Sequence, residues 1–290
     1  MTSRCIVCNS SNLEEKEIVD HFLSKEKFKV SFCSACGHGT TDFPNHKNIA
    51  SYYESEEYLS HTSTSFSLIS ILYQASRTIM MKLKARVISK YSKEASTILD
   101  YGCGTGNFLD HMRQRGWKIA GLEPSSLARV KAESKTGTII FSTLEELKEN
   151  YRVITLWHVI EHTPDPGRVL ATLSQHVEPG GILLVAVPNY RSYDAQHYKI
   201  YWAGYDVPRH LQHFTNNSLI KLATQSGWSF VESQPMKLDS FYVSLLSETY
   251  QRSKPTLLRY IKAFRVGALS NLKAIGTNNY SSNIFIFKKS

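Results

Sequence analysis

The sequence lacks a long apolar run and has only five cysteines. The first absence argues against a membrane-spanning helix, and the second against a disulfide-rich secreted protein. No stretch approaches the roughly 18 consecutive apolar residues of a membrane-spanning helix, because serines interrupt the longest one, over residues 66–73. The first residues, Met1-Thr2-Ser3-Arg4-Cys5, contain no apolar segment of the signal-peptide type. A length of 290 residues with 42% hydrophobic and 20% charged residues is typical of a globular protein. We therefore expect a soluble, cytoplasmic protein.

The net charge of +9 is concentrated in two segments of the chain. Residues 97–235 carry thirteen basic and thirteen acidic residues, whereas residues 66–96 carry six against one and residues 236–290 carry nine against two. Basic segments favour anionic partners such as phosphates, nucleic acid or a membrane surface. Solubility alone is the simpler explanation, and the charge pattern does not decide between the two.

The chain divides into five segments by sequence pattern. Residues 1–45 hold two cysteine pairs, and residues 46–96 form a connector followed by a basic amphipathic helix over 66–91. From residue 97, strands alternate with helices, which predicts an α/β fold with a parallel, doubly wound sheet over 97–235. Strands are expected at 98–100, 118–123, 138–141, 153–156, 182–187, 229–232 and 283–287, and helices at 107–115, 126–134, 167–176 and 217–226. Residues 236–282 are mostly helical and too long for a turn, so they are a candidate cap before the final strand within 283–290.

A glycine-rich turn follows the first of these strands. The strand ends at Asp100, and Gly102, Gly104 and Gly106 then remove three side chains from the turn. Ligands of such sheets bind beyond the carboxyl ends of the strands, and a turn without side chains lets the backbone approach a ligand closely. Glu123 ends the next strand, where its carboxylate can accept both hydroxyls of an adenosine ribose.

Other cofactors that bind to glycine-rich turns fit this one less well. The dinucleotide pattern needs a third glycine where Asn107 stands, and an acid before the turn would repel a pyrophosphate. A P-loop needs a Gly-Lys-Ser/Thr sequence, which does not follow. An acid at this place suits the ammonium and sulfonium groups of S-adenosylmethionine, so the turn favours that methyl donor.

Five motifs, in order along the chain, resemble those of class I S-adenosylmethionine-dependent methyltransferases. They are LDYGCGTG at 99–106, GLEPS at 121–125, WHVIEHTPDP at 157–166, PGGILLV at 179–185 and RHLQHFT at 209–215. The last is similar to a motif of the subgroup that contains ubiquinone-type and surface-polysaccharide-locus methyltransferases. The resemblance covers residues 97–235 and the last strand, and it implies the Rossmann-like, seven-stranded methyltransferase sheet.

The resemblance also implies which residues hold the methyl donor. The expected cofactor-binding residues are Asp100, Tyr101, Gly102, Cys103, Gly104, Gly106, Phe108, Glu123, Pro124, Thr143, Leu144, Trp157 and His158. Two places depart from the family's pattern. Tyr151-Arg152 replaces Phe-Asp before the fourth strand, and Ser142-Thr143-Leu144 stands where an acid often binds the adenine amino group. A hydroxyl or backbone group would then make the adenine contact. Cys103 is interpreted as a small packing residue and not as a nucleophile.

Four histidines are the candidate catalytic residues. Methyl transfer from a sulfonium is an in-line displacement, so the enzyme must align a nucleophile and can remove its proton. His158 and His162 flank Glu161 after the fourth strand, and His210 and His213 precede a helix, so all four are expected on the carboxyl side of the sheet. Histidine can act as a base near neutral pH. The alternative is that His162 and Glu161 only orient their loop through hydrogen bonds.

The N-terminal cysteines have the spacing of a structural zinc site. Cys5 and Cys8, then Cys33 and Cys36, form two CxxC pairs separated by 24 residues. Four thiolates with no open position describe a structural Zn²⁺ site, and a module of this size needs the metal for stability. A redox pair and unbound cysteines are the alternatives. The fold class expected is therefore an α/β methyltransferase sheet with an N-terminal zinc ribbon and a helical cap.

Three functions are compatible with these features. The leading hypothesis is methyl transfer from S-adenosylmethionine to a polar, in some cases anionic, small molecule or saccharide. The second is RNA methylation. The zinc ribbon and a pI near 9.2 favour it, although the ribbon itself has no net charge. The third is a non-catalytic module that binds the donor without turnover. The sequence leaves the acceptor atom and the oligomeric state open, as well as whether the basic helix at 66–91 caps the site or contacts a membrane.

Overall fold

The N-terminal cysteine segment forms a small antiparallel sheet that the rest of the chain completes. The computed structural model describes residues 4–43, 49–53, 68–92, 94–251 and 257–290. The small sheet consists of β1 (Leu13–Val19), β2 (Lys27–Cys33), β3 (Gly39–Thr41) and β9 (Gln212–His213), in the order β1-β2-β3-β9. The fourth strand comes from the segment 97–235, so the expected boundary at residue 45 does not separate two independent sheets.

The larger sheet has seven strands, as the sequence predicts. Its strands are β4 (Thr97–Tyr101), β5 (Lys118–Leu122), β6 (Ile140–Phe141), β7 (Tyr151–Trp157), β8 (Val177–Pro188), β10 (Trp228–Pro235) and β11 (Ser282–Lys289), in the order β10-β11-β8-β7-β4-β5-β6. β4 is parallel to both of its neighbours, β5 and β7, and β11 is antiparallel to both β8 and β10. The strand order therefore reverses at β4, and the carboxyl end of β4 is the place where such sheets bind ligands.

Helices cover both faces of this sheet, because its central strands are apolar on both sides. Leu183, Leu184 and Val185 of β8 have no exposed surface, and such runs are typical of strands buried on both faces. The helices are α1 (Leu68–Ser89), α2 (Asn107–Arg113), α3 (Ser126–Thr136), α4 (Pro166–Gln175), α5 (Tyr193–Tyr198), α6 (Asn216–Gln225), α7 (Asp239–Gln251) and α8 (Leu257–Lys273). Short 3-10 turns lie at Ile49–Tyr52, Leu144–Glu146, Ile160–His162, Lys199–Tyr201 and Ala203–Tyr205.

Capping residues fix where several of these helices begin. The Ser125 side chain accepts a hydrogen bond from the backbone N–H of Ala128 at the start of α3, and Asp165 does the same for α4, which has proline at its first position. Thr215 and Ser218 form a capping box at the start of α6. These capping residues can be recognised in the sequence. The predicted helices therefore agree with the observed ones to within two residues at most of their ends.

The segment 236–282 folds mainly into α7 and α8, which pack against each other and lie between β10 and β11 in the chain. The predicted helix over 66–91 corresponds to α1, whose last two turns pack Ala85 and Ile88 onto the sheet. The predicted connector, apart from residues 49–53, lies outside the described part of the chain. No helix of the described residues is long and apolar enough to cross a membrane.

Candidate functional site

The three glycines of the turn after β4 have two kinds of surroundings. All three have a left-handed backbone, with φ of +73° at Gly102, +55° at Gly104 and +74° at Gly106. A Cβ on Gly102 would lie 2.5 Å from a methyl carbon of Val159, and one on Gly106 would lie 2.9 Å from the Cα of Ala132. A Cβ on Gly104 would meet no described atom within 4 Å. Gly102 and Gly106 therefore pack against protein, whereas Gly104 faces open space.

Asp100 lies buried at the carboxyl end of β4. Its side chain is 3% exposed, and its Oδ1 accepts a hydrogen bond of 2.6 Å from the hydroxyl of Thr155 on β7. Burial raises the pKa of Asp100 to about 7, against the lowering effects of the Thr155 hydrogen bond and the Lys84 ammonium. A cation beside this buried carboxyl group would stabilise its ionised form.

Glu123 reaches the same turn from the end of β5. One carboxylate oxygen accepts the backbone N–H of Gly104 at 2.9 Å, and the other accepts that of Ser125 at 2.9 Å. The side chain is partly exposed. The acid that the sequence places at the end of the second strand therefore lies next to the open space in front of Gly104.

Lys84 of α1 lies in this region, although the sequence analysis did not identify it. Its Nζ is 4.5 Å from the ring centroid of Trp157 and 5.8 Å from that of Phe108. Burial lowers the pKa of Lys84, opposed by the charges of Asp100 and Asp239. The only sequence signal was the basic pattern of the helix, which does not say which lysine points inward.

The other expected cofactor residues surround the turn at different depths. Tyr101, Phe108 and Trp157 are buried, Leu144 is half-buried, and Pro124 and Thr143 are exposed. The indole N–H of Trp157 has no hydrogen-bond partner among the described residues. Cys103 packs with Leu109, Ala132 and Ile140, and burial raises the pKa of its thiol, both of which match its interpretation as a packing residue.

His158 connects the end of β7 to two acids. Its Nδ1 is 3.4 Å from a carboxylate oxygen of Glu161, and its Nε2 is 3.2 Å from one of Asp239 on α7. Burial lowers the pKa of His158, but the hydrogen bonds and charges of Asp239 and Glu161 outweigh it and raise the pKa to about 9. The imidazole is therefore a cation at neutral pH. The backbone of His158 is left-handed, with φ of +57°.

His162 and His210 meet Glu161 on the other side. The ring centroids of the two histidines are 4.6 Å apart. The Nδ1 of His162 bonds the Arg209 carbonyl at 2.9 Å, and that of His210 bonds the Gly204 carbonyl at 3.0 Å. Because a carbonyl can only accept, both Nδ1 atoms carry the proton and both Nε2 atoms are left as acceptors.

Glu161 is buried among these groups. It is 1% exposed, and apart from the contact of 3.4 Å with the Nδ1 of His158, its carboxylate has no hydrogen-bond partner within the described residues. Burial raises its pKa, but the hydrogen bond and charge of His158 outweigh this and keep the pKa below its usual value. One ligand atom each from Glu161, His162 and His210 lies within 4.8 Å of the others, so this trio is geometrically able to bind a metal ion.

His213 is a residue of β9, so it lies in the contact between the small sheet and the core and not with the acceptor Nε2 atoms of His162 and His210. Its Nε2 is 2.8 Å from the hydroxyl of Thr41 on β3, and its ring is 6.1 Å from that of Phe32. Burial, helped by the nearby His210 and His38, holds the pKa of His213 well below its usual value. It is therefore a neutral residue of the packed interface.

A buried ion pair strengthens the same interface. The guanidinium of Arg209 is 2.8 Å from Asp20 in the N-terminal module and 2.7 Å from Asp206, and Arg209 and Asp20 have almost no exposed surface. The pKa of Arg209 is raised, because the charges and hydrogen bonds of Asp206 and Asp20 outweigh the effect of burial. The motif at 209–215 thus serves the contact between modules as well as the site.

The four N-terminal cysteines converge at the end of the small sheet. All four Sγ atoms lie within 4.8 Å of one another, with 3.5 Å between Cys5 and Cys36 and 3.5 Å between Cys8 and Cys33. A disulfide would require about 2 Å, whereas four thiolates at 2.3 Å from a tetrahedral Zn²⁺ would be roughly 3.8 Å apart. The cluster has the geometry of the metal site and not that of disulfides.

Comparison with known proteins identifies the core. Residues 73–233 match the sequence profile of a family described as "Methyltransferase domain". The chain belongs to this methyltransferase family. The match includes the glycine turn, Glu123 and the histidine loops, together with strands β4 to β9 and most of β10, so these parts belong to the methyltransferase domain.

Individual relatives and solved structures agree with this assignment. The chain is 37% identical over 109 residues to the ubiquinone biosynthesis O-methyltransferase of Vibrio atlanticus, which covers 33% of this chain and 46% of that protein. It is 32% identical over 153 residues to that of Sodalis glossinidius, covering 48% and 59%. The matches thus span about half the length of these relatives.

Among solved structures, magnesium protoporphyrin IX methyltransferase (ChlM) from Synechocystis PCC 6803 with bound S-adenosylhomocysteine aligns with a TM-score of 0.54 at 12% identity, over 83% of this chain and 97% of that one. The mycolic acid cyclopropane synthase CmaA1 aligns with a TM-score of 0.53 at 13% identity, over 74% and 85%. These likenesses show that the fold is shared.

Proposed function

We propose that this protein transfers a methyl group from S-adenosylmethionine to a hydroxyl of a small molecule. The observation that carries the proposal is the open space in front of Gly104, where the Glu123 carboxylate accepts the Gly104 N–H and the same turn begins at the buried acid Asp100. The residues fit the donor, because its amino group is a cation and its ribose hydroxyls are hydrogen-bond donors. When bound, the donor supplies an electrophilic methyl group on a sulfonium.

The residues around the turn have separate roles in this proposal. Asp100 binds the amino group of the donor, and Glu123 accepts the ribose hydroxyls beside the Gly104 N–H. Thr143 and Leu144 lie along the next strand end and are assigned to the adenine. Trp157, whose indole N–H has no partner among the residues that the structure describes, and His158 close the site at the end of β7.

The acceptor is assigned to the histidine cluster. Two relatives are named as O-methyltransferases, and a hydroxyl acceptor needs its oxygen aligned and its proton accepted. The Nε2 atoms of His162 and His210 are left as acceptors and can take such a proton, although burial lowers the pKa of His210 to about 4 and makes it a weak base. His158 is a cation held between the carboxylates of Glu161 and Asp239, so the cluster favours a polar, uncharged acceptor over an anionic one. A phenolic or saccharide hydroxyl satisfies both requirements.

RNA methylation is less well supported by the charges of the N-terminal module. The exposed lysines of β1 and β2 each lie near a glutamate, with Lys16 near Glu14, Lys27 near Glu17 and Lys29 near Glu15 at 3.3–3.8 Å. Phosphate binding favours lysines without acidic neighbours, and the described strands β1 and β2 do not offer them.

The cysteine cluster is proposed to bind one structural Zn²⁺. The four thiols meet at distances suited to a tetrahedral ion, and the site has no position left for a substrate. In this role the metal holds together the end of the small sheet that carries Gly37, whose carbonyl accepts a hydrogen bond from Tyr190 of the core. The zinc site thus supports the contact between the two modules.

Two glycine variants test the donor site with a matched control. Gly104 and Gly137 both have a left-handed backbone, and a Cβ on either would meet no described atom within 4 Å. Gly137, however, ends α3 and is not part of the turn. Calorimetry with S-adenosylhomocysteine should show that Gly104→Val abolishes binding and that Gly137→Val retains it. Equal affinity in the two variants would refute the assignment of the turn.

A further inference from the structure

The helical hairpin of α7 and α8 packs with its small and polar residues inward. The Ser240 hydroxyl donates to the carbonyl of Gly267 at 3.1 Å, and a Cβ on Gly267 would lie 3.0 Å from the Cα of Phe241. The buried positions are Ser240, Ser244, Ser247 and Glu248 in α7, and Arg259, Ala263, Val266, Gly267 and Ser270 in α8. The two backbones therefore approach closely through serine and glycine.

The large apolar side chains of α8 point outward instead. Leu257 is 77% exposed, Phe264 is 64% exposed, and Leu272 and, just beyond the helix, Ile275 are 62% and 68% exposed. Together with Ile261, these residues are three, four, seven or eight positions apart, which places them on one face of a helix. A helix of a water-soluble domain normally buries this face and exposes the polar one, so the pattern is inverted here.

The charges on the outer side of the hairpin are positive. The segment 236–290 contains nine basic and two acidic residues, and both acids point inward. Asp239 lies 3.2 Å from His158, and Glu248 is 3% exposed. Within the described residues, Lys262 and Arg265 form no salt bridge, and Arg265 is exposed next to Phe264 on the apolar face.

We propose that the outer face of α8 binds the surface of a membrane that contains anionic lipids. Close packing through small residues with apolar side chains outward is the arrangement of helices that face lipid, and an apolar stripe flanked by cations is typical of helices that lie in the membrane interface. A helix of 17 residues is roughly 26 Å long, which suits a position in the plane of the surface.

A second copy of the chain is the competing occupant of this face. In a symmetric pair the same patch would face itself, so Lys262 and Arg265 of each copy would approach those of the other without an acid nearby. Anionic lipid head groups supply the missing negative charge. The charges therefore favour the lipid surface over self-association.

Sedimentation of the full-length protein with vesicles tests this proposal. Phosphatidylcholine vesicles that contain phosphatidylglycerol should bind the protein, and vesicles of phosphatidylcholine alone should bind it at least about tenfold more weakly. Phe264→Glu with Leu272→Glu should abolish binding. The control is Leu127→Glu with Val130→Glu on α3, whose side chains are 69% and 64% exposed, and it should bind like the wild type. Calorimetry with S-adenosylhomocysteine verifies that each variant is folded, independently of the membrane result.

Two outcomes would overturn the proposal. One is equal sedimentation of the α8 variant and the α3 control with the anionic vesicles. The other is a dimer in light scattering that Phe264→Glu converts to a monomer while no vesicle binds the wild type. Lys262→Gln with Arg265→Gln adds a third measurement, because removing both cations should weaken binding to anionic vesicles by about tenfold or more and leave weak binding to neutral ones unchanged.

Discussion

His158 and Asp239 form an ion pair, Nε2 to Oδ2 at 3.2 Å, that joins the end of β7 to the first turn of α7. His158 also contacts Glu161, so one imidazolium lies between two carboxylates. The pair links the methyltransferase core to the inserted hairpin at the edge of the candidate site. The sequence indicated His158 but gave no signal for its partner, which lies 81 positions further along the chain.

The first prediction concerns the charge of His158. Because Asp239 and Glu161 raise its pKa to about 9, Asp239→Asn should lower that pKa, as measured by NMR titration of the imidazole Cε1–H signals. The raised pKa stabilises the folded protein fully below pH about 6.5, and the stabilisation is lost as pH rises to about 9. Asp110→Asn, which removes a surface partner of Arg113, is the control and should leave the pKa of His158 unchanged. An unchanged value in Asp239→Asn would contradict the pairing.

The second prediction concerns the pH dependence of donor binding. Burial raises the pKa of Asp100 to about 7, and only the ionised carboxylate attracts the amino group of the donor. The affinity for S-adenosylhomocysteine should therefore rise about tenfold between about pH 6 and pH 8. Calorimetry should show weak, pH-independent binding in Asp100→Asn and weaker binding with the slope retained in Glu123→Gln. A flat profile in the wild type would exclude this role for Asp100.

The third prediction separates donor binding from turnover. His158→Ala and His210→Ala should lower kcat by about a hundredfold or more, while the affinity for S-adenosylhomocysteine falls much less. The measurement needs a phenolic or saccharide acceptor found by transfer of a labelled methyl group. His111→Ala, on the outer side of α2, should leave kcat unchanged. Loss of donor binding in both variants would place these histidines on the donor instead.

The fourth prediction concerns the metal. Protein purified without chelators should contain about one zinc ion per chain, and Cys36→Ser should lose it and unfold at a lower temperature. Cys103→Ser provides the matched control, because that cysteine packs behind the glycine turn and should retain the metal. Elemental analysis that finds no zinc in the wild type would overturn the assignment.

The fifth prediction concerns the buried pair of Arg209 and Asp20. Arg209→Ala leaves Asp20 buried without its partner, so the free energy of unfolding in urea should fall by about 3–5 kcal/mol. Arg168 and Glu145 form a comparable pair with both side chains about two-thirds exposed, and Arg168→Ala should cost less than about 1 kcal/mol. Similar losses in the two variants would show that the buried pair does not hold the modules together.

The sequence predicted the seven-stranded sheet because its signals are local. Strands such as β8 are continuous apolar runs, and helix starts such as Ser125 and Thr215 carry capping side chains. The glycine turn could be predicted for the same reason, because a left-handed backbone or a close contact requires glycine at each of its three positions. Cys103 is buried, and its Sγ would lie 3.0 Å from a Cβ on Gly121, which is compatible with the interpretation of Cys103 as a packing residue.

The parts that the sequence did not predict depend on contacts between distant segments. β9 has only two residues and becomes a strand because β3 pairs with it. The different surroundings of His210 and His213 follow from their places in the chain, since His213 lies in β9 beside Thr41 of β3, whereas His210 precedes the strand and bonds the Gly204 carbonyl. Lys84 was missed because a basic helix shows which residues are charged and not which of them faces an acid.

The pairing of β3 with β9 has a consequence for how the molecule assembles during synthesis. Thr40 pairs with Gln212, 172 residues later in the chain, so the cysteine segment completes its sheet only after β9 has been translated. Contacts of such high sequence separation slow folding. If a metal ion binds the four cysteines early, it would keep the cysteine segment folded during that interval. The N-terminal module would then offer β3 as a preformed edge on which β9, in the histidine loop, can pair.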